Sequence, residues 1–494
     1  MKIALLLCPQ WDTEMPVLSL ALLSAQLKRH GHETAIYDMN QEMARLARAG
    51  GDTIFSQAPT LCAGWTDPDF VDQRVLPAYR DYLEAFVSRV LDGGTGLVGF
   101  SVYYSNSLMS LHVASLLKKR APGVPIVFGG ASCRTPRGCV EHLKTGLVDA
   151  AFLGEADLTF PAFADAFAGS GRLRAAGGVM LREAPATWKD AARPPADLNV
   201  LPHADFDGFN LAHYRGKTIQ SSRGCIRKCV YCDHFDGREK YRSLTARRLF
   251  AEIKHQLRKD PQVSAFRFSD SLVNGSMKTI SAFCGAVARG NLDIKWGGYA
   301  VARAEMTQEV LAKMRQGGCR LLAYGIESGS ARVLRDMAKC VSPEVNARAL
   351  RNTAGAGIDT LAGFMVGFPT ETEEDFQRSL EFVRANARNI GLLGPSLFTL
   401  TEPLGRWAAY RVEPGPDALY WSTRDGKNTF PVRVERLRRL IAAAGDCGVR
   451  VAFEARVAPE AMETHYDGFL RRYRARAGAR KTRKTKPPGF PGGL

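Results

Sequence analysis

Long apolar runs are missing from this 494-residue chain. No segment approaches the roughly 18 consecutive apolar residues that a membrane-crossing helix needs, so a soluble protein is expected. The opening residues 1–8 (MKIALLLC) form too short an apolar run for a signal peptide and have no small-residue cleavage site behind them. Without a secretory signal the eleven cysteines are expected in a reducing, cytoplasmic compartment, which excludes a disulfide scaffold. Acidic residues are also scarce, 50 against 67 basic ones, for a net charge of +17. The excess is uneven: residues 471–494 hold nine Lys or Arg and no Asp or Glu, and without those nine charges the chain carries +8. This tail ends in a Pro/Gly-rich run and has the composition of a disordered segment. It reads as a solubilising extension or as a contact for an acidic partner.

What is present is a 45% hydrophobic chain long enough for two or three domains with substantial cores. Residues 3–7 are a continuous apolar run ending at Pro9, the pattern of a buried parallel strand. Helical spacing follows over 16–30 and ends at Gly31, and 33–37 reads as a second strand. Residues 40–94 are mostly helical in pattern, and the alternation then resumes with strands at 97–101, 125–128 and 148–153. Strands alternating with helices predict a Rossmann-like open parallel sheet over residues 1–200, with its ligand beyond the carboxyl ends of the strands. Two motifs here mislead. Gly94-Thr95-Gly96-Leu97-Val98-Gly99 satisfies G-x-G-x-x-G but precedes a strand instead of following one, and Gly216-Lys217-Thr218 lacks the upstream glycine of a phosphate loop.

Residues 201–400 repeat the alternation after a Pro/Gly/His-containing connector. Strands are predicted at 218–221, 265–268, 293–296, 321–324, 360–366 and 397–400, with helices at 244–258, 277–288, 308–317, 343–356 and 373–387. Thr370 and Glu373 are read as the capping box of the last of these helices. Six strand–helix units make a partial (β/α)6 TIM-like barrel, whose functional groups sit at the carboxyl ends of its strands. Residues 401–473, with Trp407, Tyr410, Tyr420, Trp421, Phe430 and an amphipathic helix over 432–444, are expected to form a small C-terminal helical cap, and 474–494 the basic tail.

The densest chemistry lies at Ser222-Arg223-Gly224-Cys225-Ile226-Arg227-Lys228-Cys229-Val230-Tyr231-Cys232-Asp233, three cysteines spaced C-x3-C-x2-C. Thiolates this close on a loop suit a metal centre. Three of them leave one iron of a [4Fe-4S] cube without a protein ligand, whereas Asp233 or His234 could supply the fourth ligand of a zinc site.

Cys225, Cys229 and Cys232, with the aromatic Tyr231 before the last cysteine, resemble the cluster loop of the radical S-adenosylmethionine (SAM) enzymes. The resemblance continues at the ends of later strands. Ser269 and Asp270 stand where the family presents polar groups to the methionine end of SAM. In Gly325-Ile326-Glu327-Ser328-Gly329, Glu327 matches the residue that contacts SAM, with Ser328 beside it. Gly367-Phe368-Pro369 falls where family backbone contacts adenine, near which Tyr231 would also pack. Upstream, the order of strand, helix, Phe128-Gly129-Gly130 and Gly154-Glu155 is similar to the cobalamin-binding domain fused ahead of many of these enzymes. That similarity implies cobalamin contacts at Trp11, Ser101, Tyr103, Tyr104, Ser105, Gly129, Gly130, Gly154 and Glu155, the glycines letting backbone approach the corrin. The D-x-H-x-x-G motif of other cobalamin proteins is absent, and residues 9–15 contain no histidine. The lower cobalt face would then lack a histidine ligand, with Trp11, Tyr103 and Tyr104 as candidates to cover it.

What the resemblance implies is a [4Fe-4S] cluster whose open iron is chelated by SAM, reductive cleavage to a 5'-deoxyadenosyl radical, and methyl transfer from methylcobalamin to an unactivated carbon. The expected function is a cobalamin-dependent radical SAM C-methyltransferase of a natural product or peptide, fed by a one-electron reductant such as flavodoxin or ferredoxin. A non-methylating rearrangement or cyclisation on the same cofactors is one alternative. A nucleic-acid-binding protein with a structural Fe-S cluster and a basic tail is another. Cys319 and Cys340 are read as buried, inert cysteines, with a redox or covalent role as the alternative. Cys340 follows Met337-Ala338-Lys339 at a place where the family often has glycine.

Overall fold

The structure, a computed structural model, describes residues 1–55, 62–175, 177–183, 196–232, 240–400, 404–415 and 418–452. Asp233, His234 and the basic tail lie outside the described residues. Among those described, no helix is long and apolar enough to cross a membrane.

The amino-terminal sheet is built from β1 (Lys2–Leu7), β2 (Glu33–Asp38), β3 (Leu97–Ser101), β4 (Ile126–Gly129), β5 (Ala150–Phe152) and β6 (Val179–Leu181). Their order is β2-β1-β3-β4-β5-β6, parallel throughout except for β6, which adds an antiparallel edge that the sequence pattern did not anticipate. The apolar run of β1 follows from burial on both faces. Ala4, Leu6 and Cys8 join one core cluster, and Ile3, Leu5 and Leu7 join another on the opposite side. In this order the direction of winding reverses between β1 and β3, and the crevice at their carboxyl ends is where such sheets take ligands.

The second sheet runs β7 (Lys217–Ile219), β10 (Ala265–Phe268), β11 (Lys295–Ala300), β12 (Cys319–Glu327), β13 (Asp359–Val366), β14 (Leu392–Leu397) and β17 (Arg450–Val451), all parallel and in sequential order. Two short antiparallel pairs decorate it: β8 (Ser222–Arg223) with β9 (Arg242–Ser243), and β15 (Val412–Glu413) with β16 (Ser422–Thr423).

Three expectations need correction. The sixth barrel strand is β14 at Leu392–Leu397, not 397–400. Gly394-Pro395 disguised it; among the described residues β17 pairs only with Leu392 and Leu393, which leaves that side of Pro395 an edge where a proline fits. The last of the predicted barrel helices begins at Glu373 as expected, but its capping box is Thr372 with Asp375, while Thr370 donates to Asp336 instead. The segment expected as a helical cap carries helix Phe430–Asp446, which packs on β14 and on helix Glu373–Asn386 and leads into β17. It therefore extends the barrel sheet by a seventh strand. Trp407 and Trp421 of the same segment are buried with Phe368 and Phe398, and Val230 and Tyr231 of the cysteine loop pack against this cluster.

The two sheets meet along ionic contacts. The connector lies against the first domain through Asp205, which accepts from Lys28 at 2.5 Å and Ser24 at 2.9 Å. Arg267 of β10 pairs with Asp12, on the loop after β1. Arg223 and Arg242, facing each other at the base of the cysteine hairpin, both bind Glu155, and Arg223 also grips Asp157 through two hydrogen bonds of 2.6 and 2.9 Å. Burial opposes the charge of Asp157, but Arg223 more than offsets it and holds the carboxyl below its usual range. Removing one partner from a buried pair leaves the other charge stranded, at a cost of about 3–5 kcal/mol. Asp157→Ala is therefore expected to lose stability of that order in denaturant unfolding, with Asp157→Asn losing less.

Within the barrel, Asp270 ties the end of β10 to that of β7. It is fully buried and accepts from the Ser221 amide at 2.8 and 3.0 Å and from the Ser221 hydroxyl. Burial pushes its carboxyl up from 3.8 to about 7 despite those donors. Between those values the folded chain binds a proton that the unfolded chain has released, so this contribution to stability falls as pH rises. The stability advantage of the parent over Asp270→Asn should shrink between pH 4 and 7 and level off above it, as read by unfolding at pH 5, 6 and 8.

Candidate functional site

The cysteine loop leaves the second sheet at the carboxyl end of β7 and is framed by the β8/β9 pair. Cys229 is buried, while Cys225 and Cys232 are partly exposed. The Arg227 amide donates to Cys225 Sγ at 3.4 Å, and Val230 N–H donates to the Met337 carbonyl at 3.1 Å, fastening the loop to the turn after helix Ala331–Asp336. Burial pushes the Cys229 thiol up, and the Lys339 ammonium and Tyr231 hydroxyl oppose that shift. Among the described residues no three His, Cys, Asp or Glu side chains are gathered closely enough to hold an ion as they stand. The three sulfurs thus line one loop without forming a closed cage. Their donor chemistry fits a [4Fe-4S] cube: three thiols, soft ligands suited to iron–sulfur binding.

Over this loop stands a side-chain network that spacing alone did not reveal. Tyr231 donates to Glu327 Oε1 at 2.9 Å, and Lys339 Nζ donates to the same oxygen at 2.9 Å and to the Tyr231 hydroxyl at 3.0 Å. Glu327 sits at a register shift between β12 and β13 with φ of 65°, a left-handed conformation uncommon for a residue with a long side chain. Burial pushes the Tyr231 phenol well up, and Glu327 and Cys229 push it the same way. Lys339 is held charged: burial works against its ammonium, but Glu327 and Cys229 outweigh it.

The other residues expected around SAM divide by where their polar groups point. Ser269 is exposed at the end of β10, its amide tied to the Ile219 carbonyl. Asp270 is directed at Ser221, as described above. Ser328 is buried, and its hydroxyl meets Ser379 at 3.3 Å and accepts from the Ser330 amide at 3.1 Å. Gly367 donates its amide to Glu371 at 2.8 Å and accepts from Asn428 at 3.1 Å. Asp270, Ser328 and Gly367 therefore hold the strand ends in place with the groups expected to face a ligand. Of the two unassigned cysteines, Cys319 is fully buried with its thiol pushed well above the usual range by that burial. Cys340, expected to be buried, is instead exposed, on a turn where its φ of 53° is one that glycine would adopt freely.

At the carboxyl edge of the first sheet, the nine residues expected around cobalamin divide between the last residues of β3 and β4 (Ser101 and Gly129) and the loops after β1, β3, β4 and β5. Trp11 and Tyr103 stack with ring centroids 3.6 Å apart, bringing the loops after β1 and β3 together. Buried Asn106, which the sequence reading missed, stitches the same point: its amide nitrogen reaches the carbonyls of Cys8 and Ser101, both at 3.2 Å. Ser105 donates to the Gln10 carbonyl at 2.7 Å, and Ser101 meets Ser19 at 2.9 Å. Tyr104 stands 79% exposed. Gly129 passes its carbonyl to the Val102 amide, and a Cβ on Gly130 would stand 2.8 Å from the Val102 oxygen, so glycine alone lets these loops close. A Cβ on Gly154, by contrast, would meet nothing within 4 Å among the described residues. Glu155 is committed to Arg223 and Arg242 of the cysteine hairpin. An exposed aromatic beside the topological switch point and open space over a glycine further along the same edge fit a flat ligand lying across it.

Residues 219–383 match the sequence profile of the Radical SAM superfamily. An uncharacterized methyltransferase of Pyrococcus horikoshii is 26% identical over 297 residues, which are 58% of this chain and 64% of that protein, so the match spans just under two thirds of the relative's length. Cytidylyl-2-hydroxyethylphosphonate methyltransferase of Streptomyces wedmorensis is 24% identical over 439 residues, 78% of this chain and 76% of the relative. In fold, the chain is similar to the radical SAM methyltransferase TsrM of Kitasatospora setae, solved with cobalamin and a [4Fe-4S] cluster bound. The TM-score is 0.65 at 16% identity, covering 90% of this chain and 88% of that one. A second TsrM structure, with tryptophan and a SAM analogue bound, matches with the same TM-score. Residues 219–383 thus carry the sequence pattern of the Radical SAM superfamily, and the chain's two sheets share the fold of TsrM.

Proposed function

We propose that the protein is a cobalamin-dependent radical SAM C-methyltransferase acting on an unactivated carbon of a small-molecule or peptide substrate. The observation that carries this reading is the facing of two carboxyl edges. The cysteine hairpin is clamped by Arg223 and Arg242 to the loop after β5, and Arg267 of β10 pairs with Asp12 after β1. Both contacts bring the carboxyl edge of the barrel, where SAM would lie in this reading, up to the carboxyl edge of the first sheet. The methyltransferase names of the Pyrococcus and Streptomyces relatives, and the cofactors bound in TsrM, support the same reading.

In this proposal Cys225, Cys229 and Cys232 ligate three irons, and Glu327, with Tyr231 beside it, holds SAM. Trp11, Tyr103 and Tyr104 form the apolar surface against the lower corrin face. Bound there, the cluster with SAM supplies a hydrogen-abstracting 5'-deoxyadenosyl radical and cobalamin supplies a methyl carrier. The chain's part is to hold the two cofactors at a fixed separation and to keep water away from the buried Cys229–Tyr231 side of the loop. A flavodoxin- or ferredoxin-class protein would deliver the electron.

Anaerobically reconstituted protein supplied with SAM, cobalamin, reductant and substrate is expected to form S-adenosylhomocysteine together with 5'-deoxyadenosine. The latter without the former would instead favour a rearrangement or cyclisation. Cys229→Ala should bring reductive SAM cleavage down to background. Trp11→Ala should weaken cobalamin retention about three- to tenfold, in line with roughly 0.5–1.5 kcal/mol for an aromatic contact, while leaving iron content unchanged; spectra of anaerobic protein would report both chromophores.

A further inference from the structure

The turn that follows helix Ala331–Asp336 is shaped around one side chain. Ala338 and Cys340 both adopt left-handed φ, 51° and 53°, and the lysine between them is directed inward until its side chain is only 10% exposed. The same turn is fastened to the cysteine loop through the Val230 amide, between Cys229 and Tyr231. Room for the ammonium exists because β12 carries a glycine beneath it: a Cβ on Gly325 would stand 2.8 Å from Lys339 Nζ and 2.3 Å from Glu327 Oε1. The nitrogen then hydrogen-bonds Glu327 and Tyr231, lies 5.8 Å from the centre of the Tyr231 ring, and falls within electrostatic reach of the sulfurs of Cys225 and Cys229. Two strained backbone positions, a missing Cβ and a buried cation are expensive for a turn that only needed to close.

We propose that Lys339 is a positioning residue that tunes the cluster: its buried ammonium holds Glu327 and Tyr231 over the cysteine loop and raises the cluster's reduction potential by placing one positive charge beside its thiolates. This rests on the reading of the cysteine loop as a [4Fe-4S] site. The physical step is the uptake of one electron by the cluster from an external one-electron reductant, with no bond made or broken. That electron adds one negative charge to the cluster, so a fixed positive charge nearby stabilises the reduced form more than the oxidised one, and net local charge is one of the levers on such potentials. The low-dielectric surroundings strengthen the effect. Glu327, on the same network, acts with the opposite sign, and the pair together set the local field.

The test is an anaerobic, EPR-monitored redox titration of the full chain without SAM, comparing parent, Lys339→Met, Lys339→Arg and Glu327→Gln at matched iron and sulfide content. Lys339→Met is expected to lower the reduced-to-oxidised ratio at the parent's midpoint by about tenfold, which for one electron is a shift of about 59 mV to more negative potential. Lys339→Arg should stay within about threefold of the parent, and Glu327→Gln should shift the midpoint the other way. A purely structural lysine would give no such reversal of sign. Unchanged midpoints in both charge-removing variants would overturn the proposal, as would shifts of the same sign. If Lys339→Met takes up no iron, the upward shift in Glu327→Gln decides the matter. A parent protein that binds no cluster would defeat the functional reading and this inference together, whereas a loaded parent with unshifted variants would defeat this inference alone.

Discussion

Four charged side chains at the base of the cysteine hairpin bear most of the burden of arranging this molecule. Arg223 and Arg242 stand opposite each other across the β8/β9 pair, and both reach Glu155 and its neighbourhood on the loop after β5. All four are at most one fifth exposed in their side chains. Charges so placed have given up their hydration and recover it only through each other, so the contact tolerates little displacement. Rigid attachment of this kind would suit the proposed two-cofactor reaction, because a misplacement of about 1 Å between reacting groups costs on the order of a hundredfold in rate.

The same economy appears on the other side of the loop. Tyr231, Glu327 and Lys339 come from the cysteine loop, the end of β12 and the turn after the next helix, and meet within hydrogen-bonding distance of one another. Beyond them, Asn428 bonds the carbonyls of Gly367 and Phe368, and buried Arg436 pairs with Glu371, whose carboxylate receives the Gly367 amide. The carboxyl-terminal helix and its preceding segment thus brace the end of β13 from behind. Residues that pattern reading assigned to ligand contact and residues that brace them are intermixed along these strand ends, and only the direction of each side chain separates them.

The alternation of strands and helices was legible because burial on both faces of a parallel sheet writes continuous apolar runs into strands such as β1, and helices announce themselves by spacing and by caps. Where the pattern is interrupted the reading slipped: Gly394-Pro395 hid β14, and the short antiparallel β6 and the late β17 carried too few residues to register. The capping box was displaced by two residues because Thr370 and Thr372 are each followed by an acidic residue three positions on, Glu373 and Asp375, and only the backbone entry angle selects between them.

Sequence alone determined which groups are available: three thiols on one loop, an aromatic beside them, glycines at the strand ends, and no histidine on the loop after β1. Each is a local fact, written within a short stretch of the chain. Tertiary structure decided which groups meet. Arg223 finds Asp157 across 66 positions, Tyr231 finds Lys339 across 108, and Arg267 finds Asp12 across 255. Periodicity and spacing hold information only over a turn of helix or a strand, whereas an ion pair between distant segments depends on how two sheets pack. The charges that join this protein's halves could therefore be recognised only once the fold had brought them together.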